Sequence, residues 1–195
     1  MEAAPQVIVL AGANGSGKTT SSRKLLAETL IVMPFVNADM IAQGLAGFNP
    51  ESTAIAAGRI MLERLRELAE HRENFAFETT LAARSYAGWL KTLRESGYHV
   101  RLLYFWLESP DLAVARVAQR VAAGGHHVPE ATIRQRYKRS VRNFLTLYRS
   151  IVDVWQIHDN SLQNQLNLVA EATETGEHVY DEVRWDLFQR SGADE

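Results

Sequence analysis

The sequence contains no cysteine. That excludes disulfide staples, thiolate metal sites and a cysteine nucleophile. Proline is scarce, at 5 of 195 residues, and no Pro/Gly/Ser-rich linker divides the chain. A single domain over 1–195 is therefore expected, long enough to bury about 70% of its unfolded surface. Long apolar runs are missing as well. The opening MEAAPQ has no basic segment, and the run from Val7 to Ala11 that follows is short. It falls below the roughly 7–15 residues of a signal sequence and far below the about 20 of a membrane span. A soluble, cytoplasmic protein without a membrane association is the expectation.

Lysine is rare too: 4 residues against 17 arginines, with a net charge of -2. Such a total offers no general attraction to nucleic acid or anionic lipid. The distribution is uneven, however. From Arg116 to Arg149 there are eight basic residues and one acid, Glu130, so this segment is +7 and the remainder -9. Arginine's planar fork matches phosphate and carboxylate oxygens, so the block hints at an anionic ligand, although a solvated helix face would look the same in composition.

What is present is an alternation of strands and helices. Val7-Ile-Val-Leu-Ala11 is a continuous apolar run stopped by Gly12, the pattern of a buried parallel strand. A helix is expected from about Lys18 to Leu30, a short strand over Pro34–Asn37 and a helix from Pro50 to Arg72 with Ile55, Arg59, Leu62, Leu65 and Leu68 along one stripe. Phe75–Phe77 reads as a third strand, Arg84–Ser96 as a helix closed by Gly97, and His99–Leu107 as a central strand. Pro110–Ala123 and about Pro129–Ser150 read as helices around a loop at 124–129, the second with Ile133, Tyr137, Val141, Phe144 and Tyr148 as its stripe. Val152–His158 is a further strand, and a C-terminal hairpin and helix occupy about 164–190, turning at Thr175-Gly176. The four tryptophans, too far apart in sequence for a stacking ladder, are expected to fill the core. The fold class is α/β: a doubly wound, mostly parallel sheet of P-loop NTPase type, flanked by helices and carrying an arginine-bearing lid at about 121–136.

Gly12-Ala13-Asn14-Gly15-Ser16-Gly17-Lys18-Thr19-Thr20 contains G-x-x-x-x-G-K-[ST] between an expected strand and an expected helix. The glycines let successive backbone N–H groups turn toward one anion, and the helix N-terminus adds its dipole. Lys18 is expected at the β- and γ-phosphates of ATP, with the Thr19 hydroxyl on Mg2+. No N-K-x-D guanine signature accompanies the loop; Asp159-Asn160 is the nearest approach and lacks the lysine. With this length and one phosphate loop, a small-molecule kinase is the nearest class.

Strand ends on the same rim would supply the acceptor side. Asp39 could serve as the base for an acceptor hydroxyl or as the N-cap of the following helix. Glu78, with Thr79 and Thr80, could hold Mg2+ through water or bind substrate hydroxyls. Arg116 and Arg120 lie four apart before the Gly124-Gly125 loop, while Arg136, Arg139 and Asn143 share one side of the next helix. Arg120 and Arg136, then Arg134, are the candidates for neutralising the transferred phosphoryl from a glycine-hinged lid, and Lys138, Arg142 and Arg149 are expected to face solvent. His126-His127 lacks a third ligand for zinc and reads as part of the lid. The hairpin at Leu166–Tyr180 either covers the adenine or extends the sheet edge.

GANGSGKTT (12–20), Asn37-Ala-Asp39, Glu78-Thr-Thr80 and GGHHVPEATIRQRYKRSVRNF (124–144), over roughly 5–161, resemble the zeta-toxin-like P-loop kinases. The resemblance implies Asp39 as base, Glu78 and Thr80 as substrate-binding residues and Arg120 as a phosphate contact. It also implies UDP-N-acetylglucosamine as acceptor and a helical antitoxin as partner. Two departures stand out. The family's E-x-T-x-R arginine is Ala82 here, with Arg84 the nearest substitute, and its second lid arginine falls near His126. The expected activity is Mg2+/ATP-dependent phosphorylation of a hydroxyl on a small metabolite. Two readings of other classes remain beside it: a slowly hydrolysing nucleotide-dependent binding module, and a nucleic-acid end kinase using the +7 segment, which the acidic remainder disfavours.

Overall fold

The computed structural model describes residues 4–25, 33–46, 53–125, 127–162 and 165–193. Among them, seven strands form one sheet: β1 (Gln6–Ala11), β2 (Phe35–Val36), β3 (Phe75–Thr79), β4 (His99–Trp106), β5 (Val154–Asp159), β6 (Asn167–Thr173) and β7 (Gly176–Val179). Their spatial order is β2-β3-β1-β4-β5-β6-β7. The strands from β2 to β5 in that order pair in parallel, and β6 and β7 add antiparallel at one edge. The helices are α1 (Lys18–Leu25), α2 (Ala38–Ala46), α3 (Ala54–Glu70), α4 (Ser85–Glu95), α5 (Pro110–Ala122), α6 (Glu130–Thr146) and α7 (Glu182–Ser191).

A parallel strand must hide both faces, which is why β1 and β4 are almost wholly apolar and lie at the centre. Val7, Val9, Phe77, Leu102 and Trp106 face one cluster with α3, α4 and α6, while Ile8, Leu10, Ala76, Leu103 and Phe105 face the other. α5 starts where its sequence says it should. Ser109 accepts from the Leu112 N–H at 3.1 Å, Pro110 follows at the first position and Asp111 complements the dipole.

The α/β alternation and the mostly parallel, helix-flanked sheet are as expected. Several details differ. The second strand is two residues, and positions 26–30, over which a helix was expected, lie outside the described residues. On α3, Leu65 and Leu68 are buried as expected, but Ala57 and Met61 complete the packed face, whereas Ile55 is 77% exposed and Arg59 and Leu62 are exposed too. The tryptophans do pack in the core, but Trp155 and Trp185 stack at 5.8 Å, because β5 and α7 bring distant positions together. No helix among the described residues is long and apolar enough to cross a membrane.

Candidate active site

Parallel strands place the turns after β1, β2, β3 and β4 on one rim, and a cavity of about 930 Å3 opens there. The loop 12–17 forms its floor. Gly12, Gly15 and Gly17 have φ of 139°, 81° and 76°. A methyl at Gly15 would lie 2.6 Å from the Ala113 carbonyl oxygen, and one at Gly17 would lie 2.5 Å from Asn160 Nδ2. Glycine is therefore required at both for conformation and for space. Asn14, Gly15, Gly17, Lys18, Thr19 and Thr20 line the cavity, while Gly12, Ala13 and Ser16 shape the loop from beneath.

Lys18 is buried, and its ammonium donates to the Gly12 and Ala13 carbonyls at 2.8 and 2.9 Å. Glu78 lies 3.7 Å away. Burial lowers the Lys18 pKa, and the charges of Glu78 and Asp39 pull it back up. Glu78 also accepts from the Thr19 hydroxyl at 2.7 Å and from Asn37 Nδ2 at 2.9 Å. A hydroxyl and a carboxylate this close are oxygen donors of the kind Mg2+ takes. Two protein oxygens suit an ion that keeps waters and binds phosphate oxygens. Among the described residues no group of three or more His, Cys, Asp or Glu side chains is placed to hold a metal ion.

The cap of α2 is Asn37 rather than Asp39. The Asn37 Oδ1 accepts from the backbone N–H groups of Asp39 and Met40 at 2.8 and 3.2 Å. The Asp39 carboxylate is left facing the cavity, and among the described residues it makes no hydrogen bond or ion pair. Thr80 lines the same side. Beyond it Leu81, fully buried, has a φ of 59°, a strained conformation for a leucine. It is held from α6 and the 3-10 turn after it: Asn143 donates to the Leu81 and Ala82 carbonyls at 2.9 and 3.1 Å, and the Tyr148 hydroxyl, in Tyr148–Ser150, to that of Ala83 at 2.6 Å.

The opposite wall is arginine. Arg116, Arg120, Arg136 and Arg139 line the cavity, and Arg136 donates to Asn14 Oδ1 at 3.3 Å. Arg134 does not join them; ion pairs to Asp111 at 2.6 Å and Glu130 at 2.8 Å hold it outside. Arg84 is exposed and does not line the cavity, whereas Ala82 does. α6 also packs one face into the core. Its Ile133, Tyr137 and Phe144 are buried, Tyr137 donates to the Leu107 carbonyl at 2.6 Å and accepts from Trp106 Nε1 at 3.0 Å. Gly124, at φ 85°, ends α5, and Gly125 gives Arg120 the room a methyl would take, 2.6 Å from its Cγ. His126 lies outside the described residues.

Four contributors were missed or left without a role in the sequence reading: Asn37, Arg139, Tyr86 and Asn160. Asn160 donates to the Ser16 carbonyl at 2.7 Å and to Ser21 Oγ at 3.1 Å, tying the end of β5 to the phosphate loop. Its place immediately after a strand was the available signal. A second cavity of about 380 Å3 adjoins the loop, bordered by Arg116, Gln119, Leu162, Gln165 and Leu166. The segment between β5 and β6 thus flanks the loop, while β6 and β7 extend the sheet edge.

Residues 7–142 match the protein family described as AAA domain. An uncharacterized protein of Haemophilus influenzae is 30% identical over 132 residues, covering 68% of this chain and 92% of that protein. A chain of the AvrRxo1-ORF1:AvrRxo1-ORF2 crystal structure with sulphate ions superposes at a TM-score of 0.83 with 14% identity. The match covers 98% of this chain and 66% of that one; the same assembly has also been solved with ATP. A chain of the PezAT chromosomal toxin–antitoxin system of Streptococcus pneumoniae gives a TM-score of 0.67 at 20% identity, over 100% of this chain and 81% of the other. At these identities the structural likeness is one of fold, and it is the fold expected from the zeta-toxin-like motifs.

Proposed function

This chain belongs to the AAA domain family, and from that premise we propose that it transfers the γ-phosphate of ATP to a hydroxyl of a small metabolite. One observation carries the reading. A single cavity holds a phosphate-binding loop, a carboxylate with no hydrogen bond or ion pair among the described residues, and a wall of arginines opposite. A nucleotide-hydrolysing switch has no need of further room beside the phosphate loop lined by Asp39 and Thr80, whereas a kinase does.

In this reading the backbone N–H groups of Gly12, Ala13, Asn14, Gly15, Ser16 and Gly17, with Lys18, Thr19 and Thr20, hold the triphosphate. Lys18 exchanges its two carbonyl partners for phosphate oxygens. Thr19 and Glu78 would hold Mg2+, which when bound neutralises charge on the phosphates. Asp39 takes the acceptor's proton, Glu78 and Thr80 orient the acceptor, and Arg120 with Arg136 faces the charge on the transferring group. Arg116 and Gln119, beside the smaller cavity, flank the nucleoside. A nucleotide sugar such as UDP-N-acetylglucosamine is the acceptor supported by the motif resemblance. The toxin–antitoxin assembly among the structural relatives supports a restraining protein partner as part of the same reading.

Asp39→Asn keeps the side-chain volume and removes the base. Binding of a non-hydrolysable ATP analogue should stay within about twofold, while acceptor-dependent ADP formation should fall by roughly 100-fold or more. Acceptors come from a mass-spectrometric screen of nucleotide sugars, nucleosides and sugars. Unchanged turnover in the variant would remove Asp39 from the reaction.

A further inference from the structure

We propose that Asp159 is a positioning residue of the nucleotide site: it fixes the turn that aims Arg116, and Arg184 ties that turn to the C-terminal helix. This rests on ATP occupying the phosphate-loop side of the cavity, as in the phosphotransfer reading. It adds residues that act on the nucleotide without touching it.

Asp159 ends β5 and is 4% exposed, so its carboxylate needs partners within the protein. One oxygen accepts from the Ser161 N–H at 2.9 Å and from the Ser161 hydroxyl, closing a turn over 159–161. The other lies 3.2 Å from Arg184 Nε. Arg184, half-buried on α7, also donates from Nη1 to Glu108 Oε2 at 2.8 Å. Both Asp159 oxygens are engaged inside the molecule, and neither is left to read a nucleobase.

Ser161 then holds the α5 segment at two points. Its Oγ accepts from the Glu108 N–H at 2.9 Å, just ahead of the helix, and its carbonyl accepts from Arg116 Nη2 at 2.9 Å, further along it. Arg116 borders both the larger and the smaller cavity, so its guanidinium stands at their junction, between the nucleoside side and the phosphate loop. On the other side of the turn, Asn160 fastens it to the loop through Ser16 and Ser21. One buried carboxylate thereby sets the spacing between the phosphate loop and the Arg116 guanidinium. A guanidinium held at one corner by a carbonyl keeps its planar fork in one orientation, which bonding to phosphate oxygens in pairs requires. Among the described residues, none of α7 lines either cavity. Arg184 reaches a bound nucleotide only through this chain of bonds.

The test measures the affinity of a non-hydrolysable ATP analogue with Mg2+ for the full chain and for Asp159→Ala, Arg184→Gln and Arg116→Gln. Two double variants join each of the first two changes to Arg116→Gln. Arg190→Gln, which removes the same charge from an exposed ion pair with Asp186 on α7, is the control. Asp159→Ala should weaken binding by about tenfold, Arg184→Gln by about threefold to fivefold and Arg190→Gln by less than about twofold. Once Arg116→Gln is in place, adding either change should weaken binding by less than about twofold, because both act through that guanidinium. Losses that multiply in the double variants overturn the proposal, since a general loosening of the fold lowers affinity with or without Arg116. Unchanged affinity in either folded single variant, Asp159→Ala or Arg184→Gln, overturns it too. Should Asp159→Ala fail to fold, the pair Arg184→Gln and Arg116→Gln decides by the same criterion. A wild type that does not bind the analogue refutes the nucleotide reading itself, whereas a wild type that binds it, with multiplying losses in the variants, refutes this inference alone.

Discussion

Lys18 is held by its own loop. Two carbonyls and the nearby Glu78 offset the cost of burying its ammonium and fix the cation in place, so that in the proposed reaction it would only trade partners. His158 presents the opposite case. It is 5% exposed, stacks on Phe105 at 5.9 Å, and neither ring nitrogen has a hydrogen-bond partner among the described residues. Burial pushes its pKa down to about 4, against 6.5 for a free histidine. The folded imidazole stays neutral where the unfolded one takes up a proton. Its contribution to stability is therefore complete above pH 6.5 and is lost as pH falls from there toward 4, by about 2 kcal/mol at pH 5. Urea unfolding of the wild type and His158→Leu at pH 7 and pH 5 checks this: the wild type should lose about 2 kcal/mol more than the variant on acidification, and parallel pH profiles would refute it.

At the scale of elements, α6 does two jobs with one face. Arg136 reaches the phosphate loop, and Asn143, two turns on, holds the strained turn after β3. Asn143→Ala leaves the Leu81 and Ala82 carbonyls without that donor, at a cost of about 1–3 kcal/mol. Calorimetry should show Tm lowered by roughly 2–4 °C per kcal/mol, and the acceptor KM should rise while nucleotide affinity holds. An unmoved acceptor KM would show that the turn positions nothing. Much of this layout was legible in the sequence. Continuous apolar runs marked β1 and β4, and the G-x-x-x-x-G-K-T spacing marked the phosphate loop. The stripe of α6 emerged as read because Ile133, Tyr137, Val141 and Phe144 all are buried. What stayed hidden depended on contacts between distant segments. Glu130, four residues before Arg134, was a local sign that this arginine is paired, but Asp111 completes the pairing from another helix. Asn37 and Asp39 were equally good caps by type, and only the backbone shows which one bonds the helix N–H groups. The stacking of Trp155 on Trp185 likewise had no local signature.

Across the whole molecule the arginine-rich segment is not a uniform basic face. Arg134 is neutralised at the surface, and Arg116, Arg120, Arg136 and Arg139 turn into a cavity whose other side carries Asp39 and Glu78. A strand of nucleic acid needs an open track that meets many phosphates in succession, whereas a cavity of this kind meets the few phosphates of one nucleotide. The two arrangements separate under salt. Binding to a 20-residue oligonucleotide through a basic track would be micromolar at low salt and would weaken as a steep power of ionic strength, because each neutralised phosphate releases counterions. Arg116, Arg120 and Arg136 are half-buried, and such charges are screened less than fully exposed ones. Titration of the ATP analogue with Mg2+ between 0.05 and 0.5 M salt should therefore show a shallow decline, and the oligonucleotide should bind no more tightly than about 100 µM at 0.15 M. Micromolar oligonucleotide binding with a steep salt slope would make the basic segment a nucleic-acid cradle and overturn the confinement of its charge to a small, phosphate-bearing ligand.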